Sequence, residues 1–130
     1  MKKCCIVSKQ GPPAAGPYSP AVTANGFVFV SGQIPQMPIT GEMVIDSFPA
    51  QCTRVFENLK IILEEAGASL DSVVKVTVYL TDLEQFGEMN AIYEKYFAAG
   101  KPARACIQAA RLPKGVSIEV DAIAVAERNV

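Results

Sequence analysis

The segment Val73–Leu80 has the sequence VVKVTVYL, and it constrains the fold more than any other stretch of the chain. Its β-branched, alternating residues predict a strand, and one face of that strand is formed by Val74, Val76, Val78 and Leu80. The other face is mixed, which fits either contact with a partner subunit or exposure to solvent. Because helical patterns flank the strand on both sides, the sequence predicts a sheet with helices packed on it.

Apolar residues at helical spacing mark both flanking segments. The first helix is predicted to begin after Ser47, a typical N-cap residue, and to continue to Ala66 before Gly67. The second follows Thr81-Asp82, and its apolar stripe consists of Phe86, Met89, Tyr93 and Tyr96 or Phe97. Both helices are predicted to be amphipathic, and we expect the first to cover one face of a sheet.

Turn signals predict the other strands. Asn25-Gly26 favours a tight hairpin turn. Strands or extended segments are predicted at Cys4–Ser8, Ala21–Ala24, Phe27–Val30 and Met43–Ile45. Lys101–Ala126 predicts a final strand pair around a Leu-Pro-Lys-Gly turn. With no repeat or linker in 130 residues, we expect one α+β domain over residues 1–130, a single sheet with helices on one side.

Composition argues against several classes of protein. The net charge is −1 and Lys and Arg do not cluster, so a surface that follows nucleic-acid phosphates is disfavoured. The absence of histidine excludes Ser-His-Asp, Cys-His and histidine-based metal chemistry. The four cysteines lack C-x-x-C spacing, so we expect free thiols and no metal site. No apolar run is long enough for a membrane span or a signal peptide, so the expected compartment is the cytosol.

Two charged residues stand out in the final strand pair. Arg104 and Cys106 are two apart, so they share one face of a strand. Glu119 lies between Ile118 and Val120, where a charge must be exposed, paired or used for chemistry. By itself Arg104 fits an exposed strand arginine, and Glu119 fits an ion pair, for example with Arg104. Cys106 fits a small buried residue.

Other candidate residues lie in loops and on the second helix. Tyr18, in a Pro/Gly-rich loop, either presents its hydroxyl to a ligand or covers the edge of the core. Ser31-Gly32 closes a hairpin strand, and the glycine allows a ligand or another chain to approach the backbone. Asn90, among apolar helix positions, is either a surface amide or a hydrogen-bonding group in a pocket.

Five segments in order together resemble the RidA (YjgF) family of reactive-intermediate deaminases. They are PPAAGPYSPAV, SGQIP, DLxxF, MNxxYxxYF and PARACIQAARLPKG followed by IEV. The resemblance implies a chorismate-mutase-like fold that forms a homotrimer with ligand clefts between subunits. It also implies hydrolysis of enamines and imines, such as 2-aminoacrylate and 2-iminobutyrate, to 2-oxo acids and ammonia, without a metal or organic cofactor.

The resemblance assigns roles to particular residues. Arg104 is expected to clamp the substrate carboxylate, and Glu119 to orient a water and transfer its proton; Tyr18 completes the expected catalytic set. Substrate binding is expected from Ser31, Gly32, Asn90 and the backbone of Cys106.

Two other functions stay open at this point. A carboxylate clamp would also suit a non-catalytic trimer that binds small 2-oxo acids in a regulatory role. Nucleic-acid processing is sometimes attributed to the family, but the acidic balance disfavours it.

Overall fold

In the computed structural model, which describes residues 2–130, six strands form one mixed sheet. Two α-helices pack on one face of that sheet. The elements are β1 (Cys4–Ile6), β2 (Ala21–Ala24), β3 (Phe27–Gln33), α1 (Phe48–Glu65), β4 (Val73–Leu80), α2 (Phe86–Tyr96), β5 (Ala103–Gln108) and β6 (Ile118–Val125). The strand order is β1-β2-β3-β6-β4-β5. Only the pair of β4 and β5 is parallel. The predicted α+β class is therefore confirmed.

Local signals set the first hairpin and the first helix. Asn25 and Gly26 have φ angles of 54° and 80°, which matches the tight turn expected between β2 and β3. Ser47 caps α1, since its Oγ accepts a hydrogen bond from the Ala50 N–H at 3.2 Å. The apolar stripe of α1 packs on β3 and β6 and is fully buried at Val55, Phe56, Leu59, Ile62 and Leu63. Both predictions are confirmed.

The predicted final strand pair is wrong in its pairing, although both strands exist. β5 pairs with β4 in parallel, and β6 lies between β3 and β4 and pairs with both of them. The segment around the predicted turn, including a short 3₁₀ turn at Pro113–Gly115, therefore crosses over β4 and does not close a hairpin. As a result β6 is a central strand and β5 an edge strand of the sheet.

Several predicted boundaries and faces also differ. Val74 is exposed because the pairing of β4 with β6 shifts between Val73 and Lys75, which turns Val74 away from the core. Met43–Ile45 is not a strand, since only Met43 forms an isolated bridge. In the second helical region, Asp82 caps a 3₁₀ turn and α2 begins later, at Phe86, whose side chain stays partly exposed.

The sheet face away from the helices exposes apolar side chains. Phe27 and Phe29 of β3 are 42% and 44% exposed, and their rings contact each other. Ile107 of β5 and Val125 of β6 are also exposed, at 48% and 43%. We call this surface the open face. Its apolar character is unusual for a solvated sheet surface and typical of an interaction surface.

Candidate active site

Glu119 projects from β6 on the open face, between the two neighbouring strands. On β4 it is directly opposite Tyr79, and on β3 it lies against the backbone of Gly32. A Cβ at Gly32 would overlap Oε2 of Glu119 and lie 2.9 Å from its Cδ. The missing side chain of this glycine is therefore what makes room for the Glu119 carboxylate.

A bulge in β3 holds the loop of residues 11–20 beside this carboxylate. The pairing of β3 with β6 shifts between Val30 and Gln33, which frees Ser31 for other contacts. The Ser31 N–H donates to Pro20 O at 2.9 Å and its Oγ donates to Ser19 O at 2.6 Å. Ser31 thus fixes the loop, and its hydroxyl proton is already used.

Tyr18 lies in that loop and is half exposed. Its Oη accepts a hydrogen bond from the Ala15 N–H at 3.2 Å, and its own N–H donates to Gly16 O at 2.9 Å. These bonds turn the ring back along the loop, and the hydroxyl proton remains able to donate to a ligand.

The four residues Tyr18, Ser31, Gly32 and Glu119 line one cavity of about 450 Å³. The other lining residues are Ala15, Gly16, Pro17, Ile34, Gln36, Met43, Pro113 and Lys114. The volume suits a small ligand, and the walls are mostly apolar with few polar groups. We call this space the Glu119 cavity.

The environment of Glu119 favours its protonated form. Partial burial raises the pKa of its carboxyl, and the nearby Asp121 carboxylate raises it further. A carboxyl whose pKa moves toward neutrality is a better proton acceptor and donor near physiological pH than an ordinary one.

Arg104 is held from the helix side of the sheet. Its Nη1 donates to Oδ1 of Asn90 on α2 at 2.7 Å. Its Cζ lies 4.7 Å from the ring centroid of Tyr93 and 5.4 Å from that of Phe86, within reach of cation–π attraction. An amide and two rings therefore orient the guanidinium while leaving its formal charge uncompensated by these contacts. Asn90 is thus a positioning partner of Arg104.

Arg104 and Asn90 line a second cavity of about 290 Å³. Its other lining residues are Tyr93, Glu94, Phe97, Lys101 and Pro102. The hydroxyl of Tyr93 is buried there and has no hydrogen-bond partner among residues 2–130. We call this space the Arg104 cavity.

Within one chain the two cavities lie on opposite faces of the sheet. Arg104 is in register with Val76, whose side chain is buried under the helices, whereas Glu119 is in register with Tyr79 on the open face. Successive side chains of a strand alternate between faces, so the two positions on β4 point to opposite sides. The alternative in which Glu119 pairs with Arg104 is wrong for a single chain.

Cys106 lines neither cavity but lies on the edge strand two residues after Arg104. The Ala109 N–H donates to Leu80 O at 2.8 Å, so strand alternation points the backbone of Ile107 toward β4 and that of Cys106 toward the free edge. Partial burial raises the pKa of the Cys106 thiol, against the opposing charge of Arg104. A neutral thiol is a poor nucleophile, so the backbone is the available binding group.

Sequence patterns did not single out some of the residues around these cavities. Lys114 reaches the Glu119 cavity through the 3₁₀ turn, where its own φ is 59°. The Leu-Pro-Lys-Gly pattern was the signal for that turn. Tyr79 and Asp121 form a hydrogen bond of 2.9 Å beside Glu119. Nothing in the local sequence indicates that contact, because it joins two strands.

Residues 2–130 contain no group of three or more Cys, Asp or Glu side chains arranged to hold a metal ion. None of the helices between residues 2 and 130 combines the length and apolarity that a bilayer crossing requires.

Comparisons with known proteins agree with this architecture. The family model described as Endoribonuclease L-PSP matches residues 8–126. A RutC family protein of Pyrococcus abyssi is 53% identical over 127 residues, covering 98% of this chain and 100% of its own. The chain belongs to the YjgF/RidA/RutC family. The resemblance stated from sequence motifs is therefore confirmed.

Two further relatives place the chain within the YjgF/RidA/RutC family. The chloroplastic Reactive Intermediate Deaminase A of Arabidopsis thaliana is 44% identical, over 95% of this chain and 66% of its own length. The crystal structure of Escherichia coli TdcF with bound serine has a TM-score of 0.89 at 42% identity, and the match covers 95% of this chain and 99% of the other. The fold of the family is thus shared along nearly the whole chain.

Proposed function

We propose that this chain hydrolyses reactive enamines and imines released by pyridoxal-phosphate enzymes, such as 2-aminoacrylate and 2-iminobutyrate, to 2-oxo acids and ammonia. The observation that carries the proposal is a pair of complementary groups: an oriented guanidinium in one cavity and a half-buried carboxyl with a raised pKa in the other. A relative named Reactive Intermediate Deaminase A supports the reaction class. The serine in TdcF, an α-amino acid, resembles the proposed substrates in size and charge.

We further propose that a homotrimer completes the site. The two cavities lie on opposite faces of one chain, so a ligand that contacts Arg104 and Glu119 together requires these groups from different copies. The exposed apolar side chains of the open face, including Phe29 and Ile107, supply a surface that association would bury. Light scattering at micromolar concentration should give the mass of three chains, and a monomer would contradict this assembly.

Arg104 would bind the substrate through its carboxylate. A planar guanidinium can hold a carboxylate by two parallel hydrogen bonds, and exclusion of water in a cleft strengthens the pair. The bond to Asn90 uses Nη1, which leaves the other N–H groups to bind the ligand. The outward backbone of Cys106 would add a hydrogen bond from the same strand.

Glu119 would move the protons of the hydrolysis. Water adds to the electrophilic imine carbon and gives one proton to the Glu119 carboxylate, forming a carbinolamine. Glu119 then returns the proton to the nitrogen, the hydroxyl gives its own proton to the Glu119 carboxylate as the carbonyl forms, and the C–N bond breaks. The released ammonia takes that proton from Glu119 and leaves as ammonium, which restores the carboxylate. Such proton transfer usually accelerates a reaction by about 10²–10⁴. Tyr18, Ser31 and Gly32 would shape the pocket around the reacting carbon.

The activity test couples the protein to a serine or threonine dehydratase and follows the release of 2-oxo acid. We expect faster release with the wild-type chain and loss of that acceleration in Arg104→Ala. Arg128→Ala is the matched control, because Arg128 is exposed and lines neither cavity. Normal acceleration by Arg104→Ala, or none by the wild type, would refute the deaminase reaction.

Mixing two inactive variants tests whether each cleft combines chains. After joint refolding of Arg104→Ala with Glu119→Gln, random assembly leaves about one quarter of clefts with both groups intact. We therefore expect partial recovery of activity in the mixture but not in either variant alone. No recovery, in mixtures shown by mass spectrometry to contain mixed oligomers, would refute a cleft shared between chains.

Two alternatives give different results in the same preparations. A non-catalytic binder of 2-oxo acids would bind 2-oxobutyrate through Arg104 without accelerating imine hydrolysis. The family description Endoribonuclease L-PSP keeps RNA cleavage as a candidate. RNA cleavage that survives Arg104→Ala would favour it over the deaminase reaction.

We propose the cytosol as the compartment. All four cysteines are free thiols in the structure, which suits a reducing environment. Cell fractionation tests this, since recovery in an oxidising compartment would contradict it.

A further inference from the structure

A hydrogen-bonded pair lies directly beside Glu119 and has no role in the mechanism above. Tyr79 of β4 is opposite Glu119, and its Oη donates to Oδ2 of Asp121 at 2.9 Å. Asp121 lies two residues after Glu119, so both carboxyl groups project from the same face of β6. Tyr79 therefore lies opposite Glu119 and reaches the carboxylate of Asp121.

The strands and loops around Glu119 differ in the charged and titratable side chains that they bring to it. Gly32 of β3 brings no charge, and β4 brings Tyr79 on the same face, with Lys75 further along opposite Ile123. The loops that line the cavity bring Tyr18 and Lys114. Asp121 is the anionic neighbour that affects the Glu119 carboxyl, and its charge opposes ionisation of that group.

We propose that Tyr79 and Asp121 form a positioning pair in which the held Asp121 carboxylate sets the charge state of Glu119. The inference rests on the proposed function for its catalytic consequence, but the coupling itself is a property of these three side chains. Neither Tyr79 nor Asp121 needs to touch the substrate.

The hydrogen bond from Tyr79 restricts the Asp121 carboxylate to one position. A single carboxylate on an exposed strand samples several staggered rotamers, so its field at a neighbouring group is an average. The bond from Tyr79 holds Asp121 in one arrangement and so fixes the distance over which the two carboxyl groups repel. Hydrogen bonding to Asp121 and partial burial also raise the pKa of Tyr79, which keeps its hydroxyl protonated as the donor. If association covers the open face, the lower dielectric strengthens this repulsion.

The direct test is a carboxyl carbon NMR titration of Glu119 in the assembled protein, with the signal assigned by its loss in Glu119→Gln. Asp121→Asn removes the repelling charge, so the Glu119 midpoint should move to lower pH. Tyr79→Phe releases Asp121, so it should move the midpoint in the same direction by a smaller amount. In the double variant, Tyr79→Phe should add nothing to Asp121→Asn. Asp71→Asn, which removes an exposed carboxylate outside both cavities, is the charge-matched control and should leave the midpoint unchanged.

The catalytic test is the pH profile of kcat/KM after subtraction of uncatalysed hydrolysis. Its acidic limb should follow the NMR midpoint in each variant. An unchanged midpoint in Asp121→Asn, or an additive effect of Tyr79→Phe in the double variant, would overturn the pairing even if the protein is an active deaminase. Shifted midpoints in a protein without deaminase activity would instead overturn the proposed function and leave the pairing intact.

Discussion

Replacement of Gly32 by alanine tests whether the β3 backbone is what positions Glu119. The new Cβ would lie 2.9 Å from Cδ of Glu119 and overlap Oε2, so the carboxylate must move. Overpacking of this kind usually costs about 1–3 kcal/mol, while a glycine-to-alanine change gains about 0.4–1 kcal/mol through the unfolded chain. The net loss of stability should therefore be about 0.5–2 kcal/mol, small enough for the protein to remain folded.

The loss of activity should be much larger than the loss of stability. Displacement of a catalytic group by about 1 Å typically lowers the rate about 10²-fold. We expect kcat in the coupled dehydratase assay to fall by about that factor, with the unfolding free energy from urea titration measured in parallel.

Two further variants make this result interpretable. Gly87→Ala on α2 is the matched control, since a Cβ there meets nothing within 4 Å, and helix propensity should stabilise it by about 0.5–1 kcal/mol. In a Glu119→Gln background, Gly32→Ala should cause little additional loss, because its effect acts through the side chain already replaced. Full activity in Gly32→Ala, or an equal loss in both backgrounds, would refute this account of the glycine.

Three other predictions concern Asn90, Tyr96 and Cys52. Asn90→Asp should raise KM at least about tenfold with less effect on kcat in steady-state assays, because the new carboxylate pairs with Arg104 and competes with the substrate. Tyr96→Phe should lower stability by about 0.5–1.5 kcal/mol near neutral pH, since it removes a 2.8 Å bond to Glu57. Burial and that bond raise the pKa of Tyr96 from 10.0 to about 12, so its contribution is complete below pH 10 and is lost as pH rises toward 12; urea titrations should show a shallower decline over that window in the variant. Burial raises the pKa of Cys52 to about 12, so a thiol reagent at about pH 8 should label the exposed cysteines long before this one, and equally fast labelling would contradict its burial.

The sequence predicted best those features that a few adjacent residues determine. The Asn25-Gly26 turn and the Ser47 cap each depend on backbone groups within three residues, so composition at those positions is sufficient. The amphipathic pattern of α1 was equally readable, because burial on one helix face imposes its own spacing.

The features that sequence reasoning missed depend on pairing between distant strands. The insertion of β6 between β3 and β4 leaves no local signal, because a hairpin and a crossover can share the same turn residues. The exposure of Val74 follows from a shift of register that strict alternation cannot show.

The candidate site, too, could be predicted only in part from the sequence. Family motifs identified Arg104 and Glu119, but the sequence could not show that they lie on opposite faces of one chain. That separation is set by which residues of β4 each strand faces. It is also why Asn90 emerged as the partner of Arg104 only when the packing of α2 on the sheet was known.

The central place of β6 has a consequence for biosynthesis. β3 and β4 are not neighbours, and the strand that joins them is translated after both of them. While residues 118–125 remain inside the ribosome, no strand joins β3 to β4 by hydrogen bonds, and the apolar surfaces of the two halves of the sheet stay exposed. Formation of the complete sheet should therefore wait until β6 has left the ribosome, and nascent chains stalled before that point should be easily digested by protease, whereas longer chains resist.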